Sequence, residues 1–226
     1  MNAPASRPAV RLPPLNAILD DDVARRAGWD MGELTRACLA GGARFLQVRA
    51  KHLGSGPYLS LCEEVVKLAI PYHAMVIVND RGDLARLCGA NGVHVGQEDL
   101  TPREVRVTLG NAAVIGLSTH TVEQLRAAGS EPIDYVAVGP VFGSGTKETG
   151  YAPVGLELVR EAFHLEREAA AVSRRPVRPI VAIGGITLDR ARTVIDAGAT
   201  SVAVISDLLA TGDPEARVRE YLRRLE

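Results

Sequence analysis

Eight short apolar runs recur along the chain, each followed by a segment of different periodicity, and this alternation limits the possible folds more than any other feature. The runs are LNAIL (15–19), RFLQV (44–48), AMVIV (74–78), GVHV (92–95), AVIGL (113–117), YVAVG (135–139), IVAIG (180–184) and SVAVI (201–205). They are apolar at nearly every position, as parallel strands covered on both faces are, whereas a strand with one wet face would alternate. Amphipathic segments with helical spacing lie at 31–40, 57–69, 121–128, 155–171, 188–197 and 214–225. Thr101-Pro102-Arg103-Glu104 joins an N-cap, a proline at the first helical position and a glutamate three residues after the cap, and Thr121 with Gln124 repeats the capping-box spacing. The gaps admit no inserted domain. Eight such units in 226 residues predict an α/β fold, a closed TIM (β/α)8 barrel forming a single catalytic domain over 15–226; a doubly wound open sheet is the alternative. Residues 1–14, MNAPASRPAVRLPP, hold no apolar stretch of signal-peptide length and read as a flexible tail.

Charge and composition remove several roles. Lys and Arg number 26 against 27 Asp and Glu, for a net charge of -1, so no broad basic surface invites nucleic acid or an anionic membrane. Lys67 and Pro71 interrupt the most apolar region well before the roughly 18 residues of a membrane span. Small-molecule partners and a cytoplasmic location are expected, with self-association into a homo-oligomer left open. Cys38, Cys62 and Cys88 make no C-x-x-C pair and read as reduced core thiols.

In a barrel of this kind the C-terminal ends of the strands form the active face, so polar residues that close an apolar run are candidates for chemistry. The third run ends in Asn79-Asp80-Arg81 and the fourth leads into Gly96-Gln97-Glu98-Asp99. Neighbouring strands lie about 4.8 Å apart, so acids at these two tips can share one hard cation, for which Mg²⁺ is the natural ion. The plainer reading makes Asp80 or Asp83 a helix cap and leaves Glu98 and Asp99 solvated. Period-two alternation sends Gln47, Arg49 and Lys51 to one side, where an amide and two cations could clamp a diphosphate, or stand as surface charges on an exposed edge. The loop VGPVFGSGTKETG (138–150) lacks P-loop spacing and could be no more than a loop, yet its position after a strand lets Ser144, Thr146 and Lys147 reach a phosphate. Gly184-Gly185 and Ile205-Ser206 follow the last two strands, where backbone N–H groups can bind a monophosphate; a tight turn is the alternative use of the glycines. Ser118 can bond a ring nitrogen or amine, and His120 is a conceivable acid or base, but no nucleophile elbow or Ser/His/Asp set surrounds them. His94, inside a short strand, reads as a packed imidazole rather than a metal ligand.

Taken in order, LQVRAK, VIVNDRGDLA, GVHVGQEDL, GLSTHT, YVAVGPVFGSGTK, AIGGI and VAVIS closely resemble the thiamine phosphate synthase family, from about residue 15 to about residue 210. The resemblance implies a TIM-barrel transferase that joins a hydroxymethylpyrimidine diphosphate to a hydroxyethylthiazole phosphate, or its carboxylated form. It releases pyrophosphate and thiamine phosphate by a Mg²⁺-assisted dissociative substitution. Carried over motif by motif, it implies that Asp80 and Asp99 bind Mg²⁺ and that Arg49, Lys51, Asn79 and Lys147 hold the diphosphate. Gln47 and Ser118 would address the pyrimidine. Ser144, Thr146, Gly185, Ile205 and Ser206 would bind the thiazole phosphate, the last three largely through backbone groups. Lys147, Arg49, Lys51 and Ser118 would act in catalysis. One departure is GSGT between Phe142 and Lys147, where many relatives carry threonine and proline; two glycines loosen the contacts assigned to Ser144 and Thr146. A related thiazole tautomerase, with His120 as proton carrier, and a non-catalytic thiamine phosphate binding protein are the competing readings. Neither needs Gln47, Asp80, Asp99 and Lys147 together.

Overall fold

The computed structural model describes residues 10–143 and 151–226. Eight strands, β1 (Leu15–Asp20), β2 (Phe45–Arg49), β3 (Met75–Asn79), β4 (Gly92–Val95), β5 (Val114–Thr119), β6 (Tyr135–Val138), β7 (Ile180–Ile183) and β8 (Ser201–Val204), pair in parallel with their sequence neighbours. β8 then pairs with β1, Leu15 opposite Val202 and Ala17 opposite Val204, which closes the barrel and excludes the open sheet. Around it run α1 (Asp21–Arg26), α2 (Met31–Ala40), α3 (Ser55–Ala69), α4 (Gly82–Cys88), α5 (Pro102–Leu109), α6 (Val122–Ala128), α7 (Gly155–Ser173), α8 (Leu188–Asp196) and α9 (Pro214–Leu225). A short 3-10 turn, Ser206–Leu209, follows β8. Among the described residues no helix is long and apolar enough to cross a membrane.

Each strand buries both faces, and this is why the runs do not alternate. Outward residues such as Leu46, Val48, Val76, Val78 and Val93 join Leu34, Val65, Val105, Val159 and Val218 of the helices in one core. Inward residues Ile18, Phe45, Ile77, Tyr135 and Val181 fill the barrel, with Leu12 packed against them. Fully burying a side chain of this size contributes about 1.5–3 kcal/mol. Gly116 makes the space for the largest of them: a Cβ there would stand 2.0 Å from the Tyr135 ring.

Caps fix where the helices begin. Thr101 Oγ1 accepts from Glu104 N at 3.3 Å while the Glu104 carboxylate accepts from Thr101 N at 2.8 Å, so the capping box ahead of α5 is complete. Ahead of α6 only half forms. Thr121 Oγ1 accepts from Gln124 N at 3.2 Å, but the Gln124 side chain takes the N–H of His120, at 2.7 Å, instead of that of Thr121. The glutamine therefore ties down the end of β5. On the opposite side, Glu166 of α7 is buried and accepts from Arg175 at 2.8 Å and Arg178 at 2.6 Å, clasping the helix to the chain entering β7.

Candidate active site

At the C-terminal end of the barrel the lining changes from apolar to polar. Strand register sets Gln47 opposite Ile18 and Ile77, Asn79 opposite His94, and Ser118 opposite Ala137, so these polar side chains sit in the ring above the apolar plug. Gln47 and Asn79 are buried. Arg49 turns inward, as the alternation requires, and forms an ion pair with Asp20. Asp20 also accepts from Val23 N at 3.0 Å, capping α1. Sequence reasoning did not single out Asp20, because beside Asp21 and Asp22 it reads as an ordinary helix start. A signal existed: an inward arginine needs an anion, and Asp20 ends the neighbouring strand in register with Arg49. The buried Nε of Arg49 has no hydrogen-bond partner among the described residues, which leaves a donor for a further anion.

The acidic pair forms as the strand order requires. Asp80, at the tip of β3 with a positive φ of 63°, and Asp99, beyond β4, approach within side-chain hydrogen-bonding contact. Burial, then the Asp99 charge, push the Asp80 carboxyl above its ordinary range; Lys51, its Nζ 3.3 Å from Asp80 Oδ2, opposes them. Asp99 is oriented by Gly96, whose N–H it accepts at 2.7 Å. Two touching carboxylates disfavour each other's charge, and a hard cation between them removes that penalty. The donor set therefore fits a divalent ion of the Mg²⁺ class. Among the described residues no group of three or more His, Cys, Asp or Glu is placed to hold a metal, so other ligands would come from substrate oxygens or water. The capping alternative fails: α4 starts after Arg81 without a side-chain cap, and Asp83 binds Arg81 at 2.6 Å.

Ser118 is oriented from below. His94 Nε2 lies 2.8 Å from Ser118 Oγ, and His94 Nδ1 lies 3.0 Å from the hydroxyl of Tyr135, which is sealed in the barrel. A buried phenol that fails to donate leaves its proton unsatisfied at a cost of about 1–3 kcal/mol, so Tyr135 donates to Nδ1. The imidazole proton then sits on Nε2 and is donated to Ser118 Oγ. That leaves the serine proton to point at a ligand acceptor. His94 is the packed imidazole that its place in a strand indicated.

A cavity of 390 Å³ opens beside the ends of β7 and β8, lined by Ser118, His120, Gly184, Gly185, Ile205 and Ser206 among others. Gly185 has φ 59°, and a Cβ on it would stand 2.4 Å from Gly143 O, so only glycine fits this approach. The N–H groups of Gly185 and Ile186 donate to no described residue and can receive an anion. His120 donates from Nδ1 to Gly139 O and stacks on Tyr151 at 3.9 Å, which makes it part of the cavity wall. Ser144, Thr146 and Lys147 lie outside the described residues.

Arg49, Lys51, Asn79, Asp80, Asp99 and the glycine-lined cavity thus share one rim of one barrel. The sequence model of the family described as thiamine monophosphate synthase matches residues 15–208. The chain belongs to the thiamine-phosphate synthase family. A relative named thiamine-phosphate synthase, from Koribacter versatilis (strain Ellin345), is 40% identical over 218 residues, covering 96% of this chain and 97% of that one. One from Thermus thermophilus is 40% identical over 206 residues, covering 90% and 94%. Among solved structures, the thiamine phosphate pyrophosphorylase from Pyrococcus furiosus aligns with a TM-score of 0.79 at 28% identity, covering 94% and 95%. Membership in the thiamine-phosphate synthase family makes the chain an enzyme of the transferase class.

Proposed function

We propose that this member transfers a 4-amino-2-methylpyrimidin-5-ylmethyl group from its diphosphate to the ring nitrogen of 4-methyl-5-(2-hydroxyethyl)thiazole phosphate, or of its carboxylated form. The products are thiamine phosphate and pyrophosphate. One observation carries the reading: the Asp80–Asp99 pair and the cations Arg49 and Lys51 occupy the same rim as a cavity whose amides suit a monophosphate. A tautomerase would need the second site alone. The catalytic unit is residues 15–226.

The carbon–oxygen bond breaks with its electron pair passing to the diphosphate, so the chain's task is to accept negative charge and steady a cation. Arg49 and Lys51 supply fixed positive charge to the leaving group, and Asn79 adds a neutral donor. Lys147 is assigned to the same role. Asp80 and Asp99 would hold Mg²⁺, which when bound supplies further neutralisation of the departing phosphates. Gln47 and Ser118 hold the aminopyrimidine, whose electron-rich ring spreads the positive charge left on the methylene carbon. Gly185, Ile205 and Ser206, with Ser144 and Thr146, hold the thiazole phosphate while the ring nitrogen attacks that carbon. The nitrogen attacks with a lone pair and becomes quaternary, so no residue has to remove a proton from it. That accounts for a rim rich in cations whose described residues form no acid–base dyad.

The test is to incubate the purified chain with both substrates, with and without Mg²⁺, and follow thiamine phosphate and pyrophosphate together. Stoichiometric formation of both, dependent on Mg²⁺, is expected. Rearrangement of the thiazole without coupling would sink the proposal in favour of the tautomerase.

A further inference from the structure

The cavity beside β7 and β8 is lined, among the described residues, by one Lys or Arg side chain, that of Arg190 on α8. The carboxylate on the same wall, Asp207, is already satisfied: it accepts from Arg217 at 2.8 Å, from Tyr221 at 2.5 Å and from Leu188 N at 3.2 Å. Arg190 is placed by two contacts. Its Nη1 donates to Gly185 O at 3.1 Å, and its guanidinium carbon lies 4.8 Å from the centre of the Phe142 ring. The guanidinium therefore bridges the segments after β6 and β7, which meet backbone to backbone at Gly143 and Gly185. Of its five N–H donors, one is used by Gly185 O, and the others remain for an anion in the cavity.

We propose that Arg190 supplies a cation to the acceptor's phosphate subsite and selects a phosphorylated thiazole over the free alcohol. The inference rests on the proposed transferase reading and adds to it a residue that no sequence motif signalled. A phosphate dianion held only by backbone amides keeps most of its charge uncompensated, whereas a guanidinium adds charge-assisted, geometrically matched hydrogen bonds. Stacking on Phe142 keeps the guanidinium plane in place before the ligand arrives. A purely local role, bracing Gly185 O, would need the hydrogen bond and not the charge.

The experiment compares wild type with Arg190→Gln and Arg190→Lys in steady-state kinetics and in calorimetric titration with thiazole phosphate alone. For Arg190→Gln, KM and Kd for the thiazole phosphate rise about 10- to 100-fold. KM for the pyrimidine diphosphate stays put, the loss lies in KM rather than kcat, and the preference over the unphosphorylated alcohol shrinks by the same factor. Arg190→Lys recovers a large part. An unchanged Kd for the phosphate, or an equal loss with the free alcohol, overturns the assignment in favour of a bracing role. Binding is read without turnover, so a chain that binds but fails to couple refutes the transferase reading separately. A wild type that couples while both variants bind as tightly refutes Arg190 alone.

Discussion

Asp80 sits where a free carboxylate is poorly served. The chain reverses there through a positive φ, burial strips its solvent, and the Asp99 carboxylate touches it. Lys51 offsets part of this from an exposed position, and pairs of that kind contribute little. Functional sites commonly keep such costs because the ligand needs them. Asp80→Asn removes the unfavourable charge and nearly preserves the shape. In metal-free buffer the variant is expected to melt higher than wild type, by about 2–4 °C if the repulsion is worth about 1 kcal/mol in a chain of this size. Turnover of the same variant should fall at least about tenfold, as loss of the proposed metal ligand implies. Thermal melts beside initial rates check both; a variant that melts lower yet turns over normally would mean that Asp80 is a structural partner of Lys51.

The helices show where stability is kept apart from chemistry. Glu166 of α7 is buried on the side of the barrel away from the active rim; burial pushes its pKa up, but the hydrogen bonds and charges of Arg178 and Arg175 more than offset this and hold it below the ordinary 4.5. A depressed carboxylate stabilises the fold above its unfolded pKa, and that stability disappears as pH falls through the folded value. Glu166→Gln should cost about 3 kcal/mol at neutral pH, and the gap between variant and wild type should close below pH 4.5. Urea titrations across that range decide it, since a gap independent of pH would point to lost packing instead. Elements were legible in the sequence wherever a pattern repeats: the apolar runs fixed the strands, and Thr101 with Glu104 fixed the start of α5. The six-residue α1 and the four-residue turn after β8 were not named, being too short for a 3.6-residue period to show. Partnerships that depend on three dimensions were equally hidden. The interacting thiols of Cys62 and Cys88, and Arg190 over Phe142, join residues that nothing local links. Asp80 and Asp99 were legible because adjacent parallel strands must bring their tips together.

At the scale of the whole molecule, a net charge of -1 supplies no general field for the two phosphate-bearing substrates of the proposed reaction, which leaves their attraction to local arrangement. Closure supplies the arrangement. Pairing β8 with β1 carries the glycine-lined cavity round to the strand whose Asp20 steadies Arg49, so the sites proposed for the leaving group and the acceptor lie on one rigid ring. The β2 tip bears the cations Arg49 and Lys51 and the tips of β3 and β4 bear the acids Asp80 and Asp99, one set suited to a diphosphate and the other to a metal, so the two ligands should bind cooperatively. Saturation at about 100 times Kd stabilises a fold by about 2.7 kcal/mol, or roughly 5–10 °C in melting temperature here. Pyrophosphate and Mg²⁺ together are expected to produce a shift of that order, and either alone much less. Asp99→Ala should remain folded and lose the combined shift, because the remaining carboxylate cannot grip the ion alone. Differential scanning calorimetry with the four ligand combinations reads this without any turnover. A full shift from pyrophosphate alone, persisting in Asp99→Ala, would assign the binding to Arg49 and Lys51 and remove the acids from the diphosphate site.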